Sequence, residues 1–264
     1  MSTEPRATTV RLEQDGPLAV ITLDNPPLNL FTRQVIDDLE RAVDQMVASD
    51  ARGLLVRADG RAVSGGVDVH MFDGLTPDSA RALWRELLAL IHRVEDLPMP
   101  TVFAAHALCL TAAFELSLGC DLLVAAESAR FGLVETVVGL TPAMGGTQRL
   151  TERAGPARAR ELVMTGSLYE ARTLEAWNVV NRVLPDDGFD QAARAFARGL
   201  AEGPTRAHAA TKAIVRACLD EGGARGGDAR VPELAGGLFA TDDLKGAVRS
   251  FLDHGPGHAV YRGR

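Results

Sequence analysis

Two glutamates stand out because of what surrounds them. Glu115 lies in Leu110-Thr111-Ala112-Ala113-Phe114-Glu115-Leu116, and Glu135 closes Phe131-Gly132-Leu133-Val134-Glu135. Carboxylates are rarely buried among apolar residues without a partner or a task. Apolar surroundings raise a carboxyl pKa and keep the group usable as an acid near neutral pH. Brought to one cleft, the two could serve as acid and base to a single substrate. The plainer alternatives are that one or both face solvent, or that they pair with an arginine such as Arg130 or Arg149.

Two further stretches could supply donors to such a cleft. In Ser64-Gly65-Gly66-Val67-Asp68 the glycines let a ligand approach the backbone closely, and exposed N–H groups there could bind a carbonyl oxygen. The alternative is a tight turn capped by Asp68. The stretch is not a phosphate-binding loop, because no Gly-Lys-Ser/Thr follows, and Ser64 lacks the leading glycine of a nucleophile elbow. Thr111-Ala112-Ala113 opens a short helix with small residues. Such a start leaves N–H donors accessible and aims the positive dipole end outward, one way to build half of an oxyanion hole. Ordinary helix–sheet packing would need the same small side chains.

Other chemistries find no support. The six histidines show no metal-ligand spacing, and no G-x-G-x-x-G is present for a dinucleotide. Cys109, Cys120 and Cys218 are odd in number and form no C-x-x-C, so they read as small apolar core residues in a reducing compartment. A net charge of −7 and a pI near 5.4 argue against a nucleic-acid surface. No apolar run near the start suggests a signal peptide, and none is long enough to span a bilayer, so a soluble, cytoplasmic protein is expected.

The elements that must position these residues follow from periodicity. Asp15-Gly16 between Val10–Glu13 and Leu18–Leu23 predicts a hairpin. Residues 33–48 and 79–97 predict amphipathic helices, with Pro98 and Pro100 ending the second. Gly53–Arg57, Thr101–Ala105 and Asp121–Ala125 read as buried parallel strands around a helix near 112–119. Beyond residue 150 helices are expected over 156–164, 170–177, 188–201, 204–219 and 231–251, with a short strand at 179–184. Gly222–Gly227 reads as a flexible connection. At 264 residues and 46% hydrophobic, this is an α/β core followed by a helical C-terminal region, whose apolar faces predict an oligomer.

These segments together resemble the enoyl-CoA hydratase/isomerase family, the crotonase superfamily, and within it most of all the hydratases. The likeness rests on Ser64–Asp68, on Phe114-Glu115-Leu116 with Cys120-Asp121 behind it, and on Phe131–Glu135. Leu140-Thr-Pro-Ala-Met-Gly-Gly-Thr-Gln-Arg-Leu150, Phe239–Ala247 and Phe251 complete it. The resemblance implies a spiral of β-β-α turns over residues 1–195 and a helical C-terminal trimerisation region over 196–264. It implies a homotrimer or dimer of trimers, and an acyl-CoA substrate whose coenzyme A is part of the substrate, with no separate cofactor or metal. The N–H groups of Val67 and Ala112 would form the oxyanion hole. Glu115 as base and Glu135 as acid would add water across a 2-enoyl-CoA. Leu28, Ala62, Gly66, Asp68 and Val69 would line the CoA channel. Double-bond isomerisation, another reaction of the superfamily, or a non-catalytic acyl-CoA-binding oligomer are the alternatives. The chain departs from the family's pattern at Thr111, Ala112 and Ala113, where glycines are usual, at Val134, where a proline is usual, and at the bulky Phe114.

Overall fold

The computed structural model describes residues 8–264. The expected hairpin is present: β1 (Val10–Asp15) pairs antiparallel with β2 (Leu18–Leu23), in the register Val10 opposite Leu23. Gly16 at φ +60° makes the turn. α1 (Arg33–Val47) follows, its N-cap Thr32 accepting from the Val35 N–H at 3.3 Å. β3 (Gly53–Ala58) then runs parallel to β2. α2 (Pro77–Glu95) lies two residues earlier at each end than the expected 79–97, because a reciprocal Thr76/Ser79 cap and a proline in its first turn start it there.

From β3 to α4 each turn repeats one plan: a strand in a large sheet, a strand or bridge in a small one, then a helix. β4 (Thr101–Ala105) leads to β5 (Leu108–Leu110) and α3 (Thr111–Gly119). β6 (Leu122–Ala126) leads to β7 (Arg130–Gly132), a short 3-10 helix (Glu135–Val138) and α4 (Gly146–Thr165). β8 (Tyr169–Glu170), α5 (Ala171–Ala176), β9 (Arg182–Leu184) and α6 (Phe189–Ala201) complete the strand-bearing part. The large sheet has the order β1-β2-β3-β4-β6-β9 and the small one β5-β7-β8. Isolated bridges tie Ser64 to Cys109 and Phe31 to Val67, so the segment after β3 joins the small sheet's edge. This is the expected spiral of β-β-α turns.

α3 is the centre of the arrangement. All nine of its residues are buried, and it packs against α2, α4, β5, β6 and β7. A helix apolar on every side has no solvent face to hold a charge, so Glu115 is forced into the interior. Phe114 and Phe131, both fully buried, pack with their rings tilted and centroids 5.1 Å apart, fastening α3 to β7.

The C-terminal helices are α7 (Thr205–Asp220), α8 (Ala224–Leu238) and α9 (Asp242–His254). Three expectations are corrected here. The single helix over 231–251 is two, with Thr241 capping the second. The glycines of 222–227 are not a flexible connection throughout, since α8 begins at Ala224. A Cβ on Gly227 would lie 2.3 Å from Cys218 Sγ, and one on Gly226 2.7 Å from Ala217 O, so these glycines let α8 press against α7. Likewise the helix expected at 156–164 is the second half of α4, which breaks at Gly155 (φ +80°) before Pro156. Among the described residues no helix is long and apolar enough to cross a membrane, and no group of three or more His, Cys, Asp or Glu could hold a metal ion.

Candidate active site

The first wall is the start of α3. Its N-cap, Leu110, offers no side-chain acceptor, so the first N–H groups, that of Ala112 among them, lack intrahelical partners. Thr111 takes φ +44°, a left-handed conformation unusual for a β-branched residue. Its Oγ is buried and, among the described residues, has no hydrogen-bond partner.

The second wall is the loop after β3. Phe31 donates to Gly66 O at 2.8 Å and accepts from the Asp68 N–H at 3.0 Å. That pairing leaves the Val67 N–H directed away from Phe31, and it finds no acceptor among the described residues. The loop is pinned on its other side. Gly65 N–H donates to Leu28 O at 2.7 Å, Gly66 N–H donates to Ser64 Oγ at 3.0 Å, and Ser64 Oγ donates to Asn29 O at 2.7 Å. Asn29 Nδ2 donates to Ala62 O at 2.9 Å. Leu28, Ala62 and Gly66 therefore belong to one cluster. Gly66, at φ +105°, abuts Thr111, so Val67 and Ala112 each follow a residue of that contact. Asp68 is committed to local structure: its carboxylate accepts from the His70 N–H at 3.1 Å and meets His70 Nδ1 at 2.7 Å. Those two bonds hold its carboxyl below the usual carboxylate range. Val69 follows it, exposed.

Glu115 is 2% exposed. Its Oε1 accepts from the Met144 N–H at 2.8 Å and the Gly146 N–H at 2.9 Å. Burial pushes its pKa up to about 7, against the pull of those two donors, and the neighbouring Glu135 charge raises it further. The turn that holds it needs its glycines. Gly145 sits at φ +95°, and a Cβ on Gly146 would lie 2.8 Å from Glu115 Cγ and 3.1 Å from Leu133 Cδ1.

Glu135 opens the 3-10 helix, two residues past Leu133, and is 9% exposed. Its Oε2 is buried with no partner among the described residues. Burial pushes its pKa up to about 7 as well. Among the described residues neither glutamate pairs with an arginine: Arg130 bonds Glu170 at 3.1 Å, and Arg149 bonds Glu95. Two neighbouring carboxyls with such values favour one ionised and one protonated partner near neutrality. That is the state acid–base chemistry on one substrate requires.

Sequence reasoning did not find the Met144 and Gly146 amides. The Gly145-Gly146 pair was the available signal, because adjacent glycines mark close backbone approach. It also did not find the left-handed turn at Thr111, which no residue type there announces.

A family model for enoyl-CoA hydratase/isomerase matches residues 13–259. A probable enoyl-CoA hydratase of Mycobacterium tuberculosis, EchA17, is 35% identical over 202 residues, covering 76% of this chain and 77% of that protein. Another probable enoyl-CoA hydratase, echA8 of Mycobacterium bovis, is 30% identical over 248 residues, covering 93% of this chain and 95% of that one. Among solved structures, a putative enoyl-CoA hydratase from Streptomyces coelicolor superposes with a TM-score of 0.91 at 27% identity, over 100% of this chain and 98% of that chain. An enoyl-CoA hydratase subunit from Geobacillus kaustophilus gives 0.89 at 30% identity, over 97% and 98%. The chain belongs to the enoyl-CoA hydratase/isomerase family, the crotonase superfamily.

Proposed function

We propose that the protein is an enoyl-CoA hydratase that adds water across the 2,3 double bond of a 2-enoyl-CoA. One observation carries this reading: two buried carboxyls near one another, each pushed up to about 7. In the proposed reaction the thioester oxygen accepts from the N–H groups of Val67 and Ala112. Glu115, ionised, takes a proton from water as the water oxygen bonds to Cβ. The electron pair of the double bond moves to Cα and, through the carbonyl, onto the thioester oxygen. Glu135, protonated, then delivers its proton to Cα. Charge developing on that oxygen is where two aligned donors matter most, since one such donor is worth roughly a hundred- to a thousand-fold in rate.

The CoA portion runs past Leu28, Ala62, Gly66, Asp68 and Val69, and the reaction draws on no metal and no further cofactor. The exposed Phe239, Phe251 and Leu252 in and beside α9 support a homo-oligomer, a trimer or dimer of trimers. A cytoplasmic place in fatty-acid β-oxidation fits this reading.

The test follows the enoyl-thioester absorbance of 2-enoyl-CoAs of graded chain length with the purified protein. Its loss, with one 3-hydroxyacyl-CoA formed per enoyl-CoA consumed, supports the proposal. Conjugated product from a 3-enoyl-CoA without hydration would assign an isomerase instead. Tight acyl-CoA binding without turnover would assign a non-catalytic binder.

A further inference from the structure

The turn that holds Glu115 is itself held from behind. Arg149, one turn into α4 and 8% exposed, folds back so that Nη1 donates to Gly145 O at 3.3 Å. Gly145 makes room for it: a Cβ there would lie 2.0 Å from Nη1. The other edge of the guanidinium grips Glu95, the last residue of α2, with Nε 3.2 Å from Oε1 and Nη2 against Oε2. Arg216 of α7 reaches the same Oε2 at 3.4 Å. Arg149 is buried and Glu95 half-buried, and the cost of desolvating the guanidinium offsets part of their attraction, so the pair is weak evidence for a stability role. Its position suggests another use. Arg149 is bonded to Gly145, whose two neighbours donate to Glu115 Oε1.

We propose that Arg149, with Glu95 as its counter-charge, is a positioning residue that fixes the Met144–Gly146 turn and sets how readily Glu115 gives up its proton. Two charged groups act on Glu115 directly, Glu135 on the 3-10 helix and Arg149 on α4, and Glu95 on α2 lies behind Arg149 as its counter-charge. Arg149 favours the carboxylate and Glu135 disfavours it. Glu95 partly cancels Arg149. The base role of Glu115 belongs to the proposed hydratase reading and the inference rests on it, but the proton affinity of Glu115 can be read without turnover.

The two partners then give opposite signs. Arg149→Met removes the positive charge and raises the titration midpoint of Glu115. Glu95→Gln keeps an acceptor for Arg149, leaves its charge unopposed, and lowers the midpoint. A purely structural role predicts something different. Arg149→Met would loosen the turn, weaken the two amide bonds that favour the carboxylate and raise the midpoint, while Glu95→Gln, which keeps the acceptor, would raise it too or leave it unmoved.

The experiment is a carboxyl carbon-13 NMR titration of the full-length, glutamate-labelled protein, with Glu115→Gln to assign the resonance. The expected shifts are roughly half a unit or more, upward in Arg149→Met and downward in Glu95→Gln. Shifts in the same direction, or none, would overturn the proposal. If Arg149→Met does not fold, Glu95→Gln decides alone. Where 2-enoyl-CoA turnover is measurable, the acidic limb of the kcat/KM profile moves with the midpoint. If no turnover is found, the hydratase reading fails while the titration still stands or falls by itself.

Discussion

Thr111 Oγ sits where a side chain on Gly66 would begin. A Cβ built on Gly66 would lie 2.4 Å from that oxygen and 3.3 Å from the Thr111 methyl. The contact sets the spacing of the two backbone segments that carry the Val67 and Ala112 amides. Gly66 also holds φ +105°, which an L side chain rarely adopts. Gly66→Ala is therefore expected to cost about 1–3 kcal/mol from the backbone conformation alone. On the proposed mechanism it should also lower kcat/KM by about a hundredfold, the loss of one of the two proposed oxyanion donors. Chemical denaturation and enoyl-CoA kinetics on the same preparation check both.

The Thr111 hydroxyl gives the opposite sign. It is buried without a partner among the described residues, in a residue 7% exposed. Replacing an unpaired buried hydroxyl by a methyl of the same shape removes a desolvation cost. Thr111→Val is expected to be stabilised by about 1 kcal/mol, a rise in Tm of roughly 2–4 °C for a chain of this size. A fall in Tm would mean that the hydroxyl has an acceptor, such as an ordered water.

Both glutamates couple stability to pH. Each has its pKa raised from 4.5 to about 7, so each folded carboxyl keeps its proton where the unfolded one has lost it. Their stabilising contribution is complete below about 4.5 and is lost as pH rises through about 7. That amounts to roughly 3 kcal/mol per carboxyl as an order of magnitude. Glu135→Gln is expected to match the parent at pH near 5 and to exceed it by about 2–3 kcal/mol at pH near 8. Urea midpoints at the two pH values test this. A variant advantage that is the same at both would contradict it.

Activity has its own pH signature. With one carboxyl needed ionised and the other protonated, kcat/KM should follow a bell whose limbs both lie near 7. Glu115→Gln or Glu135→Gln should leave the residual activity with one limb only. A flat profile in the parent would contradict the pairing.

How much of this was legible in the sequence depended on length and distance along the chain. The hairpin at Gly16 and the first two long helices carry their own signals: a turn pair, an apolar stripe, and prolines that end the second helix. β5, β7 and β8 span only three, three and two residues, too few for any period to show. The first half of α4 was hidden because it starts with Gly145-Gly146, which reads locally as a loop. α8 was misread for a related reason. Gly226 and Gly227 disfavour a helix locally, and packing against α7 overrides that preference. The two glutamates were visible from their apolar neighbours. The amides of Met144 and Gly146 that hold Glu115 lie 29 and 31 residues further on, and only the fold brings them together.

The central claim is that Glu115 and Glu135 both act on one enoyl-CoA. It is tested most directly by kcat for a short 2-enoyl-CoA at saturation, measured in the parent, Glu115→Gln and Glu135→Gln, with acyl-CoA affinity determined alongside. The expected result is a loss of about a hundredfold or more in each variant, with affinity changed by only a few-fold. Hydration by either variant at the parent's rate would contradict it.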